Sequence, residues 1–167
     1  GYRALYNTTA SQANNNTAIG SQALANVSTG YNNVAVGSNA AKDKYSNNSI
    51  FIGAGSGQES SFNTSVIIGN SSSSKVSQSQ GIIIGYNSGN TIDSGYTDYN
   101  AGGTRNTVVG SDSMKKMTTG DDNVIIGAYS SNNLTTGYQN VIIGSNSSSD
   151  KATTNNLPSD ISNAVGI

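Results

Sequence analysis

"TTGYQNVIIGSNSSS", Thr135 to Ser149, sets three consecutive apolar residues, Val141, Ile142 and Ile143, inside a segment dominated by Thr, Gly, Asn and Ser. A half-buried strand would alternate apolar and polar side chains. Three in a row require another explanation, and the rest of the chain supplies the context.

The same run recurs. Strand-like segments closing on a glycine read "NTAIG" to Gly20, "NVAVG" to Gly37, "SIFIG" to Gly53, "SVIIG" to Gly69, "GIIIG" to Gly85, "NTVVG" to Gly110, and "NVIIG" to both Gly127 and Gly144. The intervals between these glycines are 17, 16, 16, 16, 25, 17 and 17 residues. Four residues before each glycine stands a small or amide residue: Asn16, Asn33, Ser49, Ser65, Gly81, Asn106, Asn123 and Asn140. Three residues after it stands only Ala or Ser, from Ala23 and Ala40 to Ser130 and Ser147. Three copies share a turn seven residues before the glycine, in "TGYNN", "TGDDN" and "TGYQN", where Gly30, Gly120 and Gly137 sit. Two glycines per copy suggest two corners per copy.

A period of 16 to 17 residues, one short β-branched strand and two turns, is the signature of one coil of a parallel β-solenoid. Nine coils stacked at about 4.8 Å would make a rod roughly 40 Å long. Identical residues would fall in columns, with the asparagines forming an amide ladder and the Ile and Val residues an apolar seam. Helix is excluded because the apolar clusters are short, β-branched and separated by Gly, Asn and Ser. The fold class is therefore all-β, with residues 1–167 as one solenoid segment, an inserted loop over 86–105 and a longer loop over 145–162.

In a strand Val141 and Ile143 face one way and Ile142 the other. A single roll has one interior, so one of the two apolar faces needs a second partner. The expectation is that the flanking residues pack inside and the middle residues meet neighbouring chains. That makes Ala18, Ala35, Phe51, Ile67, Ile83, Val108, Ile125 and Ile142 the candidate interface. Each buried Ile or Val is worth roughly 1.5 to 3 kcal/mol, so leaving this column in water would forgo on the order of 10 kcal/mol.

The motif N-V-x-I-G-x-x-S/A with short Gly-containing turns resembles the head repeats of trimeric autotransporter adhesins and the related repeats of bacteriophage tail-fibre proteins, across nearly the whole chain. "GYRAL" at Gly1 to Leu5, "GSQAL" at Gly20 to Leu24 and the "TTGYQN"-type turns are more similar to the tail-fibre form. The resemblance implies a left-handed β-roll and a homotrimer; spacing alone gives neither. It also implies an extracellular place on a virion tail fibre, or alternatively on a bacterial outer surface. The chain opens on a repeat glycine, Gly1, and closes on "NAVGI", another strand cut before its glycine, so the reading is a segment of a longer fibre.

Composition narrows the chemistry. Ser, Asn and Thr supply about two-fifths of the 167 residues, 10% are charged, and Lys and Arg (8) nearly balance Asp and Glu (9). Nothing here suits nucleic acid or an anionic membrane. Cysteine and histidine are absent, which removes thiolate nucleophiles, disulfides, the usual zinc sites and histidine triads. No cofactor or metal is expected, and no run is long enough for membrane insertion. Polysaccharide cleavage would want two carboxylates about 5 to 9.5 Å apart. The candidates are Asp93 with Asp98, Asp121 with Asp122, and the lone Glu59, but Asp121 and Asp122 replace turn residues Tyr138 and Gln139 of a sister copy. The expectation is a protein that is not an enzyme.

The 25-residue interval is where a receptor contact would sit, because insertions in solenoids project from one face. Tyr96 and Tyr99 offer stacking surfaces, and Asp93, Asp98, Asn100 and Arg105 offer hydrogen bonds, a set suited to a host cell-surface glycan or protein. The function expected is thus structural and adhesive: a fibre segment that extends and presents host-surface binding.

Overall fold

Positions are given relative to each repeat glycine. The computed structural model describes residues 1–7, 13–27, 29–43, 46–59, 61–73, 78–89, 103–116, 120–147 and 165–166. The strands in chain order are β1 (Thr17–Ile19), β2 (Val34–Val36), β3 (Ser46–Asn47), β4 (Ile50–Ile52), β5 (Phe62–Asn63), β6 (Val66–Ile68), β7 (Gln78–Ser79), β8 (Ile82–Ile84), β9 (Thr107–Val109), β10 (Val124–Ile126), β11 (Val141–Ile143) and β12 (Val165–Gly166). Nine of them form one parallel sheet in the order β1-β2-β4-β6-β8-β9-β10-β11-β12. The register never slips: Ala18 pairs with Ala35, Ala35 with Phe51, Ile83 with Val108 across the long interval, and Ile125 with Ile142. The chain is a parallel β-solenoid.

The opposite side of each coil is hydrogen-bonded as regularly, although it is not extended strand. The amide at position +2 donates to the +1 carbonyl of the preceding coil, as in Asn39 to Ser21 (2.9 Å) and Asn146 to Ala128 (2.8 Å). The amide at +4 donates to the +3 carbonyl of the following coil, as in Leu24 to Ala40 (2.9 Å) and Met114 to Ser130 (3.0 Å). Residues at +2 and +4 both have positive φ, for example Asn39 at 57° and Ala41 at 49°, so this wall alternates between left-handed and ordinary backbone. Each coil thus sets one three-residue strand against one tight, kinked wall.

Coil length selects the turn. In the 16-residue coils position −7 is Ser46, Phe62 or Gln78, and there the chain forms a second sheet, β3-β5-β7. In the 17-residue coils position −7 is glycine, and Gly30 and Gly120 sit where a side chain on the glycine or its neighbour would strike backbone: a Cβ on Gly30 would lie 2.4 Å from the Ser46 carbonyl, and one on Gly103 1.3 Å from the Gly120 carbonyl. The −4 asparagine exploits the glycine turn. Asn106 Nδ2 donates to the Gly120 carbonyl at 2.7 Å, and Asn123 Nδ2 to Gly137 at 2.9 Å.

These asparagines are buried and chained. Asn123 donates both its backbone N and its Nδ2 to Asn106 Oδ1 at 3.0 Å, and Asn140 does the same to Asn123 Oδ1 at 3.0 and 2.9 Å. Through the 16-residue coils serine hydroxyls carry the column on: the Ser65 amide donates to Ser49 Oγ at 3.1 Å. Buried amides stabilise only when satisfied, and each one here has its partners. The +3 serines cap the glycine corners, with Ser130 donating to the Gly127 carbonyl at 2.8 Å and Ser88 to that of Gly110 in the following coil.

The core is built on a file of side chains between the two walls, with Val27, Phe62 and Leu134 buried beside it. Position −2 supplies Ala35, Phe51, Ile67, Ile83, Val108, Ile125 and Ile142, all fully buried, and position +4 faces them with Leu24, Ala41, Ser73, Met114 and Ser131. Volumes trade across the file. Phe51 stands opposite Gly57, where a Cβ would come within 2.4 Å of the phenylalanine ring, and Ala18 stands in the same register as Leu24. Close packing at near-crystal density favours such exchanges, although Ala35 and Ala41 are small on both sides of one coil.

Candidate interaction surfaces

The burial of the middle column corrects the expected interface. Ala35, Phe51, Ile67, Ile83, Val108, Ile125 and Ile142 are 0% exposed within one chain, and Ala18 packs half-buried against the same core, so none of the eight is presented to a neighbour. The two-faced pattern is real with its faces exchanged. Positions −3 and −1 point outward, and Val34, Ile50, Ile52, Ile82, Val109, Ile126 and Ile143 are each 37 to 42% exposed. The parity was readable from the −4 column: asparagines there hydrogen-bond across the interior, and two residues on the side chain points the same way.

The outward residues are β-branched in every coil, Thr, Val or Ile at −3 and Ile or Val at −1. Stacked in register, they make an apolar stripe two residues wide along the eight strands of that sheet from β1 to β11. The kinked wall is different. Positions +1 and +2 hold Ser21, Gln22, Ser38, Asn39, Ala54, Gly55, Asn70 and Ser71, small or polar throughout the early coils.

Of the candidate receptor contacts, Asp93, Tyr96, Asp98, Tyr99 and Asn100 lie outside the described residues. Arg105 is not a loop residue. It occupies the −5 corner with φ 56°, in register with Asn15, Asn32, Asn48 and Asp122, which share that left-handed backbone. Its guanidinium grips Asp122 with Nε to Oδ1 at 2.5 Å and Nη2 to Oδ2 at 2.9 Å. Beside it, Thr104 donates its amide and hydroxyl to Asp121 Oδ1 at 2.6 and 3.0 Å. Both carboxylates therefore clamp the coil that closes the long interval. In the earlier coils the same corner carries an exposed amide ladder, Asn15 to Asn32 at 3.1 Å and Asn32 to Asn48 at 2.9 Å.

Among the described residues no group of three or more Asp or Glu is placed to hold a metal ion. A second charged cluster is completed only by the fold, because Asn87 stands 25 residues from the Asp112 it contacts. Asp112, 8% exposed, accepts from Lys115 Nζ at 2.6 Å, from Asn87 Nδ2 at 2.9 Å and from Ser111 Oγ at 3.1 Å. Burial alone would raise the Asp112 carboxyl, but the bonds from Lys115, Asn87 and Ser111 and the Lys115 charge outweigh it and hold the group below its ordinary value. The Arg105 guanidinium does the same to Asp122.

A carboxyl whose folded pKa is depressed contributes stability at neutral pH that is lost as pH falls below the unfolded value toward the folded one. The thermal midpoint should hold down to about pH 4 and fall below it. Asp112→Asn combined with Asp122→Asn should lower the midpoint at neutral pH and flatten that acid limb, read by circular dichroism melts across the pH series.

No protein-family model, curated protein or solved structure matches this chain.

Proposed function

We propose that the chain is a structural and adhesive fibre segment: a rigid β-solenoid that associates with further copies of itself along its apolar stripe and extends host-surface binding away from its base. The observation that carries this reading is the stripe. An in-register parallel sheet with two outward columns of Val, Ile and Thr is costly to leave in water, and contiguous apolar surface of this kind marks an association face. A sheet that long also keeps a constant direction, which suits a spacer. The resemblance to trimeric tail-fibre and adhesin repeats makes three copies around an axis the natural arrangement and a virion fibre or bacterial surface the natural setting. The tightly bonded carboxylates at Asp112, Asp121 and Asp122 fit a protein without hydrolytic activity.

The test is the mass in solution. Multi-angle light scattering should find a stable homo-oligomer, a trimer on this reading, and Ile126→Asp with Ile143→Asp should lower the mass toward that of one chain while circular dichroism keeps its β signal. A soluble wild-type monomer that persists at high concentration would sink the proposal.

A further inference from the structure

The kinked wall is smooth except at two places beyond the first coil. From Ser21 to Asn146, positions +1 and +2 hold Ser, Ala, Gly, Asn, Gln or Asp in every coil, save for Tyr86 at +1 and Tyr129 at +2. Both rings stand out in solvent, 58% and 52% exposed. Backbone bonds fix their relation: the Asp112 amide donates to the Tyr86 carbonyl at 2.8 Å and the Tyr129 amide to the Ser111 carbonyl at 2.9 Å, so the tyrosines lie on the first and third of three consecutive rungs. Two rungs separate them by about 10 Å along the solenoid. The rung between them carries Ser111, Asp112 and Lys115, with Asn87 reaching across from the Tyr86 rung; the Asp112 carboxylate is nearly buried and tied on both oxygens.

We propose that Tyr86 and Tyr129, with the Asp112–Lys115 cluster between them, form a binding subsite for an extended, uncharged oligosaccharide lying along the solenoid axis. A pyranose ring has an apolar face of C–H groups and a rim of hydroxyls, so it wants a flat apolar platform and polar groups beside it. Tyrosine supplies the platform at little conformational cost. Two platforms set about 10 Å apart accommodate two rings of one chain with a sugar between them. The Lys115 ammonium has three donors, of which the Asp112 bond uses one, and the Ser111 hydroxyl lies alongside; both face hydroxyl rims well. The charges of Lys115 and Asp112 cancel locally, which favours a neutral glycan over an acidic one. The immobilised carboxylate makes this a binding site and not a cleaving one. The subsite rests on the surface-binding reading above, but it uses the wall beyond the glycine corner, separate from the apolar stripe.

The experiment is isothermal titration calorimetry on the assembled protein with three linear probes: cellohexaose, chitohexaose and maltohexaose. At least one should bind saturably, the matching disaccharide should bind far more weakly, and Tyr86→Ala or Tyr129→Ala should each weaken the hexasaccharide about tenfold, as loss of an anchoring aromatic does. Tyr138→Ala, an equally exposed tyrosine in another register, should change nothing. Both side chains are at the surface, and unchanged melting curves would show that the variants fold. Absence of binding by all three probes at millimolar concentration, binding untouched by the Tyr86→Ala/Tyr129→Ala double variant, or an equal loss with Tyr138→Ala would each overturn the proposal. None of these results bears on the light-scattering mass, so failure of the subsite and failure of the fibre reading are separable.

Discussion

Ile125→Asp should unfold the solenoid. The side chain is fully enclosed in the core file, paired along the sheet with Val108 and Ile142 and faced by Ser131 in its own coil's register. Its removal forfeits roughly 1.5 to 3 kcal/mol of burial. The carboxylate has no cation in that file to meet, so it must either protonate or bring water in, at a further cost of several kcal/mol. The sum, on the order of 5 kcal/mol, rivals the whole stability of a domain of this size. Circular dichroism should show loss of the β signal or a melting point lowered by tens of degrees. A variant that stays folded and merely dissociates would show that the middle column faces outward after all. Ile126→Asp, one residue along, supplies the contrast, because its parent side chain is 40% exposed and its cost within one chain is small.

That contrast marks how much could be read from the sequence. Coil length, strand position and register were legible because each rested on a repeated local constraint: a glycine that recurs, a −4 amide, a +3 residue that is never larger than serine. Which face of the strand turned inward was not read correctly, since Val, Ile and Ile are equally apolar and hydropathy cannot rank them. The deciding signals were elsewhere. The −2 column ranges from Ala to Phe and trades volume with +4, as Phe51 does with Gly57, whereas the −3 and −1 columns keep to β-branched side chains that suit the outside of a pleated sheet. Variation that is matched across a gap belongs to a packed interior.

The candidate sites were less legible for a different reason. Arg105 looked like part of an insertion because counting begins at the preceding glycine, but the coil resumes at Gly103, seven residues before Gly110, and Arg105 is already its corner. The Tyr86 and Tyr129 pair could not be found by spacing either. They are 43 positions apart in sequence with different offsets from their glycines, and the inter-coil hydrogen bonds set them on the same wall two rungs apart.

Gly127→Ala should be nearly as damaging as Ile125→Asp although it adds one methyl group. Gly127 has φ 135°, a region that side-chain-bearing residues essentially do not enter, at a cost of order 1 to 3 kcal/mol. The added Cβ would also lie 2.4 Å from the Gly144 carbonyl oxygen and 2.6 Å from its carbon, so the two coils must part. Parting them strains the bond that joins the two coils at this corner, from the Gly144 amide to the Ile126 carbonyl at 2.8 Å. The expected loss is on the order of 3 kcal/mol or more. Gly55→Ala is the internal control. Its φ of 65° lies in the ordinary left-handed region, which Asn39, Ser71 and Asn87 occupy in the same register, and its nearest neighbour would be Gln58 Oε1 at 3.4 Å, the end of a flexible side chain. That variant should cost about 1 kcal/mol. Urea unfolding of the two alanine variants side by side separates a glycine required by inter-coil stacking from one required only by the local turn. Equal losses would mean that the glycine corners are set by backbone preference alone and that neighbouring coils do not press on one another there.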